Sequence, residues 1–162
     1  MTDLSRNYVI IFNGEIFNYR ELRNAHFPSD HPWRSESDTE LLLELYIMNG
    51  AEVLNLLRGF FAFALYSKSE RSLFLARDRY GKKPLYYHAG ANGHFSFASE
   101  LGALIEFGIP KVLDRVSLAQ YFHFNYIPEP YSIFKGVHKL AAGHFMEIKG
   151  SAIRTKSYYQ LP

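Results

Sequence analysis

The stretch from Gly59 to Ser99 constrains the fold most. FFAFALYS, SLFLARD, PLYYHA and HFSFAS (60 to 67, 72 to 78, 84 to 89 and 94 to 99) are short runs rich in aromatic and other apolar residues. Between them lie turn-forming Lys68 to Arg71, Asp78 to Lys83 and Gly90 to Gly93. Such spacing predicts four strands in an antiparallel meander. Ahead of it, Tyr8 to Phe12 (YVIIF) is a fully apolar run that reads as a buried strand stopped by a tight Asn13-Gly14 loop.

Helical patterns flank the strands. A short helix is predicted around Tyr19 to Asn24. Ser37-Asp38-Thr39-Glu40 has the S-x-x-E capping spacing before LLLELYIM, and Asn49-Gly50 supplies a stop, so a helix is predicted from Asp38 to Asn49. Leu41, Leu42, Leu45 and Met48 recur at helical spacing and predict the face that packs on a sheet. Further helices are expected over Ala51 to Leu57, Glu100 to Phe107 and Ser117 to Phe124, with Pro128-Glu129-Pro130 as a stiff extended connection. His144 to Ile148 and Ala152 to Lys156 read as a hairpin. Buried strands with amphipathic helices imply an α+β arrangement.

Composition narrows the function classes. The length of 162 residues is that expected of one domain, and a net charge of +2 gives no electrostatic argument for nucleic acid or an anionic membrane. No apolar stretch has signal-peptide or membrane-span length, so a cytoplasmic location is the default expectation. The seven histidines lack the i, i+4 spacing of helical zinc ligands, and no metal site is expected. Phosphate-loop patterns are absent. There is also no cysteine, which removes disulfides, thiolate ligands and a cysteine nucleophile at once.

Two places carry candidate chemistry. In Asn13-Gly14-Glu15 the Asn carboxamide and the Gly backbone N–H can converge as donors on a developing oxyanion, although the pair also reads simply as a turn built of common turn residues. Asp38 is suited either to a helix start or to an ion pair with a substrate ammonium group. The charged loop Arg77 to Lys83 reads as a turn with solvated basic residues, in which Arg77 and Asp78 can form a structural ion pair.

Taken in order, FNGEIFNYRELR (12 to 23), SESDTE (35 to 40), GFFAFALYSK (59 to 68), LFLARDRYGKKPLYY (73 to 87), FSFASELGAL (95 to 104) and GVHKLAAGHFMEI (136 to 148) resemble the glutaminase domain of glutamine-dependent asparagine synthetases. The resemblance runs nearly end to end. It implies an N-terminal nucleophile hydrolase-like αββα sandwich of two antiparallel sheets. It also implies glutamine as substrate, with Asn13 and Gly14 as oxyanion-hole donors and Glu15 and Asp38 as contacts to the glutamine α-amino group. In that family a first-residue cysteine opens the amide and the ammonia passes to a separate synthetase domain, where ATP and Mg serve to activate aspartate. No cofactor is implied for this chain itself, and an oligomer is compatible with the resemblance.

The departures bear on activity. The family's Cys-Gly-Ile start, H-R-G-P-D segment and R-L-S-I segment precede N-G-E, whereas here only twelve residues precede Asn13, and the S-G-G-x-D-S pyrophosphate loop of the synthetase is also missing. The expectation is a single partial glutaminase domain over residues 1–162, N-terminally incomplete, without its synthetase domain and without turnover of its own. Thr2 is a poor substitute nucleophile, because eleven extended residues would hold it about 36 Å from Asn13 at ~3.3 Å each. The competing expectation is a catalytically silent domain with a binding or structural role, as in β-lactam-type synthetases.

Overall fold

A computed structural model describes residues 1–90 and 93–160. Its elements are β1 (Tyr8–Ile16), α1 (Tyr19–His26), α2 (Asp38–Asn49), a 3₁₀ turn (Gly50–Glu52), α3 (Val53–Leu56), β2 (Gly59–Ser67), β3 (Ser72–Arg77), β4 (Tyr86–Ala89), β5 (Phe95–Ala98), α4 (Leu101–Glu106), α5 (Arg115–Phe124), β6 (Val137–Lys139), β7 (His144–Lys149) and β8 (Ala152–Ser157). Two sheets form, both antiparallel: a larger one in the order β1-β2-β3-β7-β8, and a smaller one in the order β5-β4-β6. Within the expected turn at Gly90 to Gly93, Ala91 and Asn92 lie outside the described residues.

Strand alternation separates the layers. Phe61, Phe63 and Leu65 of β2 face a core made with Leu41, Leu42, Leu43 and Leu45 of α2, whereas Ala62 and Ala64 face Leu85, Leu140 and Met146 on the opposite side. That second side lies between the sheets, with Phe95 and Phe97 of β5 packed against it. A third cluster of Leu104, Ile109 and Val137 backs the smaller sheet. The layers therefore run helix, sheet, sheet, helix, as the αββα expectation requires. No described helix is long and apolar enough to cross a membrane.

Several sequence expectations are corrected. The four strands after Gly59 are not one meander: β2 and β3 stay in the larger sheet, while β4 and β5 belong to the smaller one. The chain changes sheets in the loop after Arg77. There the buried Asp78 carboxylate accepts hydrogen bonds from the backbone N–H groups of Phe61, Tyr80, Lys82 and Lys83 at 2.9–3.3 Å. Arg77 does not pair with Asp78. Its guanidinium donates to the carbonyls of Lys83 (2.7 Å), Gly81 (2.7 Å) and Leu140 (2.6 Å) and meets Glu129 at 2.5 Å. Its own carbonyl accepts from the half-buried Tyr158 hydroxyl at 2.8 Å.

Helix α2 keeps its predicted bounds but not its predicted stripe. Met48 is 57% exposed, and Leu43 is buried in its place. The helix lies between β1 and α1 and so buries more than one face. Its cap is the predicted one: the Ser37 hydroxyl accepts from the Glu40 N–H at 3.2 Å. Glu40 does not reach back to Ser37, because its carboxylate accepts from the N–H groups of Arg34 (3.0 Å) and Ser35 (2.7 Å). Burial pushes the Glu40 carboxyl up, but the hydrogen bonds from Ser35 and Arg34 outweigh it and hold the group below its ordinary value.

Candidate active site

β1 does not stop at Phe12. It continues through Asn13, Gly14 and Glu15 to Ile16, with Gly14 opposite Phe61 of β2, so N-G-E is strand rather than loop. Gly14 has φ +152°, and a Cβ there would run into the backbone of Phe60 and lie 2.7 Å from the Phe61 Cα. Only glycine lets the two strands keep this register.

Because β1 is a sheet edge, half of its peptide groups point away from β2. The Phe17 N–H donates to the Arg58 carbonyl at 2.7 Å and the Lys68 N–H to the Asn7 carbonyl at 2.9 Å, so odd-numbered residues direct their peptide groups at β2. Tyr8, Ile10, Phe12, Gly14 and Ile16 then point outward. Three of these are covered: the Tyr8 N–H by Asp3 (2.8 Å), the Ile10 N–H by the Met1 carbonyl (2.8 Å) and the Ile16 N–H by the Asp38 carboxylate (3.0 Å). Among the described residues no outward partner meets the N–H of Phe12 or Gly14. The Gly14 amide is thus a donor aimed off the edge of the sheet.

Asp38 reaches that edge from the start of α2. Ser37 performs the capping, so the Asp38 carboxylate is left to bind β1 rather than its own helix. Ile16 and Gly14 are two residues apart, roughly 6.6 Å at ~3.3 Å per residue, which brings the carboxylate and the free amide together on one edge. An extended glutamine places its α-amino nitrogen and its amide carbonyl several ångströms apart, a span of that size.

Asn13 turns the other way, into the space between the sheets. Its Nδ2 donates to the Ser99 hydroxyl at 3.0 Å, just beyond β5. Both residues line a cleft of about 520 Å³ that is otherwise mostly apolar, with Ile11, Ala62, Leu85, Phe97 and Phe107 among its walls. Glu15 lies on the same strand face as Asn13 and is exposed, and its carboxylate makes no hydrogen bond or ion pair among the described residues. The structure therefore brings Asp38 and the Gly14 amide to one edge of β1, with the Asn13 carboxamide on the cleft side of the same strand and the Glu15 carboxylate free beside it. Sequence reasoning missed Ser99, because nothing local marks a serine after a strand as the partner of a residue 86 positions earlier.

The amino-terminal segment also departs from expectation. Met1 to Asp3 folds back on β1, with the Met1 ammonium donating to the Ile10 carbonyl at 2.8 Å and Thr2 bridging Val9. Thr2 is nevertheless five strand positions from Gly14, about 16 Å at ~3.3 Å per residue, too far to attack a carbonyl held there.

The profile of a family described as glutamine amidotransferase domain matches residues 1–159. Asparagine synthetase [glutamine-hydrolyzing] 1 of Bacillus subtilis is 38% identical over 154 residues, covering 94% of this chain and 24% of that protein. Asparagine synthetase [glutamine-hydrolyzing] 3 of the same organism is 33% identical over 156 residues, covering 95% and 25%. The chain thus spans about a quarter of the length of these curated relatives. Among solved structures, a glutamine phosphoribosylpyrophosphate amidotransferase from B. subtilis superposes with a TM-score of 0.71 at 16% identity, covering 99% of this chain and 31% of that one. At that identity the likeness concerns the fold, and it agrees with the two-sheet sandwich.

Proposed function

The chain belongs to the glutamine amidotransferase domain family, and from that premise we propose that it carries the substrate-holding part of a glutaminase site in an asparagine synthetase. Asp38 and Glu15 bind the glutamine α-ammonium group. The Gly14 N–H and the Asn13 carboxamide receive the side-chain carbonyl oxygen and stabilise the negative charge that develops on it during attack. One observation carries this reading: on the open edge of β1, the free Gly14 amide lies two residues from the amide that Asp38 binds.

Donors of this kind hold a carbonyl oxygen, but without a nucleophile they cannot open the amide. The 162 residues contain no cysteine and Thr2 is remote, so the proposal gives this chain binding without turnover. In the complete enzyme the ammonia released from glutamine amidates aspartate in an ATP- and Mg-dependent synthetase portion. The alternative reading is a catalytically silent domain with a binding or structural role that no longer handles glutamine.

Titration calorimetry of the purified chain with L-glutamine separates the two. The expected Kd is millimolar, about 4 kcal/mol, and Asp38→Asn is expected to abolish the heat while retaining an oxygen that accepts from Ile16. Ammonia release is expected to stay at the buffer rate. No binding at tens of millimolar (~2–3 kcal/mol) favours the silent domain, and ammonia production by the chain refutes binding without turnover.

A further inference from the structure

We propose that Ser99 is a positioning residue that holds the Asn13 carboxamide in the plane required for oxyanion binding; this rests on the glutamine-site reading above. The terminal torsion of an asparagine side chain is broad and roughly two-fold, so an untethered carboxamide sweeps its donors through many directions. Here the Ser99 hydroxyl takes one Nδ2 hydrogen at 3.0 Å. The second hydrogen on the same nitrogen is left as the donor.

The position of Ser99 gives this tether its effect. It follows β5, the edge strand of the smaller sheet, while Asn13 belongs to β1, the edge strand of the larger one, so the bond ties the two layers at the mouth of their cleft. Around it the cleft walls are largely apolar, and the Asn13 carboxamide has no other polar partner among the described residues. A hydrogen bond in such surroundings is stronger than one in water, and losing it leaves nothing to replace it. The direction of the Asn13 donor therefore depends on how the smaller sheet sits over the larger one.

The test combines L-glutamine titration with NMR of the Asn13 side-chain amide, using the 162-residue chain. Ser99→Ala is expected to weaken glutamine binding about fivefold, the size of one neutral hydrogen bond, and to raise the mobility of the Asn13 amide. Ser99→Thr keeps the hydroxyl and is expected to restore both, and Ser99→Gly replaces the alanine variant if that one disturbs β5. In an Asn13→Ala background the serine substitution is expected to cost nothing further, whereas a purely structural role would persist there. Unchanged affinity in Ser99→Ala, an Asn13 amide equally mobile with and without the hydroxyl, or an undiminished effect in the Asn13→Ala background each overturns the proposal while leaving the glutamine reading intact. Failure of the unaltered chain to bind glutamine overturns that reading, and this proposal with it.

Discussion

At the scale of single residues, the acidic side chains divide by what they bind rather than by how they read locally. Ser37, Asp38 and Glu40 lie in one capping pattern, yet the serine caps the helix, the aspartate binds a strand edge, and the glutamate organises the preceding loop. Glu40 is almost fully buried and its pKa lies below the ordinary 4.5. A carboxyl group that is more acidic folded than unfolded stabilises the fold above its unfolded pKa, and this is lost as pH falls through its folded value. Glu40→Gln is therefore expected to cost about 2 kcal/mol at pH 7. The gap to the unaltered chain should close as pH falls below ~4.5, and urea melts across that range measure it. A gap independent of pH would mean that the charge is not what the Arg34 and Ser35 amides bind.

At the scale of elements, the link from β3 to β4 decides how the strands divide between the sheets. Its sequence, RDRYGKKP, looks like a solvated turn, but its two leading side chains point inward and satisfy the backbone that the turn would leave unpaired. Asp78→Ala would strand four amides, one of them on β2, and is expected to lower stability by about 3–5 kcal/mol. Asp78→Asn, which keeps one accepting oxygen, is expected to lose less. The denaturation midpoints of the two variants give this order directly. N-G-E is the opposite case. A turn signal in isolation, it is held extended by pairing with β2, and Gly14 is required by the close backbone of Phe60 and Phe61 rather than by a reversal of the chain.

At the scale of the whole molecule, the larger sheet is shared by two cores, and adjacent residues of β3 serve different ones: Phe74 packs on the helix side and Leu75 between the sheets. Disturbing one core should therefore be felt in the other. Trp33, the single tryptophan, packs on the helix side. Leu75→Val removes one methylene from the opposite core and is expected to cost about 1 kcal/mol. Trp33 fluorescence and far-UV circular dichroism should shift together, whereas separate transitions would mean that the layers unfold independently. What the sequence by itself determined is local: the predicted helices, most strands and the Ser37 cap follow from periodicity and capping chemistry, whereas Asn13, Gly14, Glu15 and Asp38 stand out as a site only through the family resemblance. The tertiary structure decided which strands share a sheet, that N-G-E lies on an open edge, that Asp38 meets that edge and that Ser99 meets Asn13. Periodicity describes a strand's two faces but not its neighbours; those depend on packing between segments far apart in the chain, and the edge of a sheet exists only once its other strands are in place.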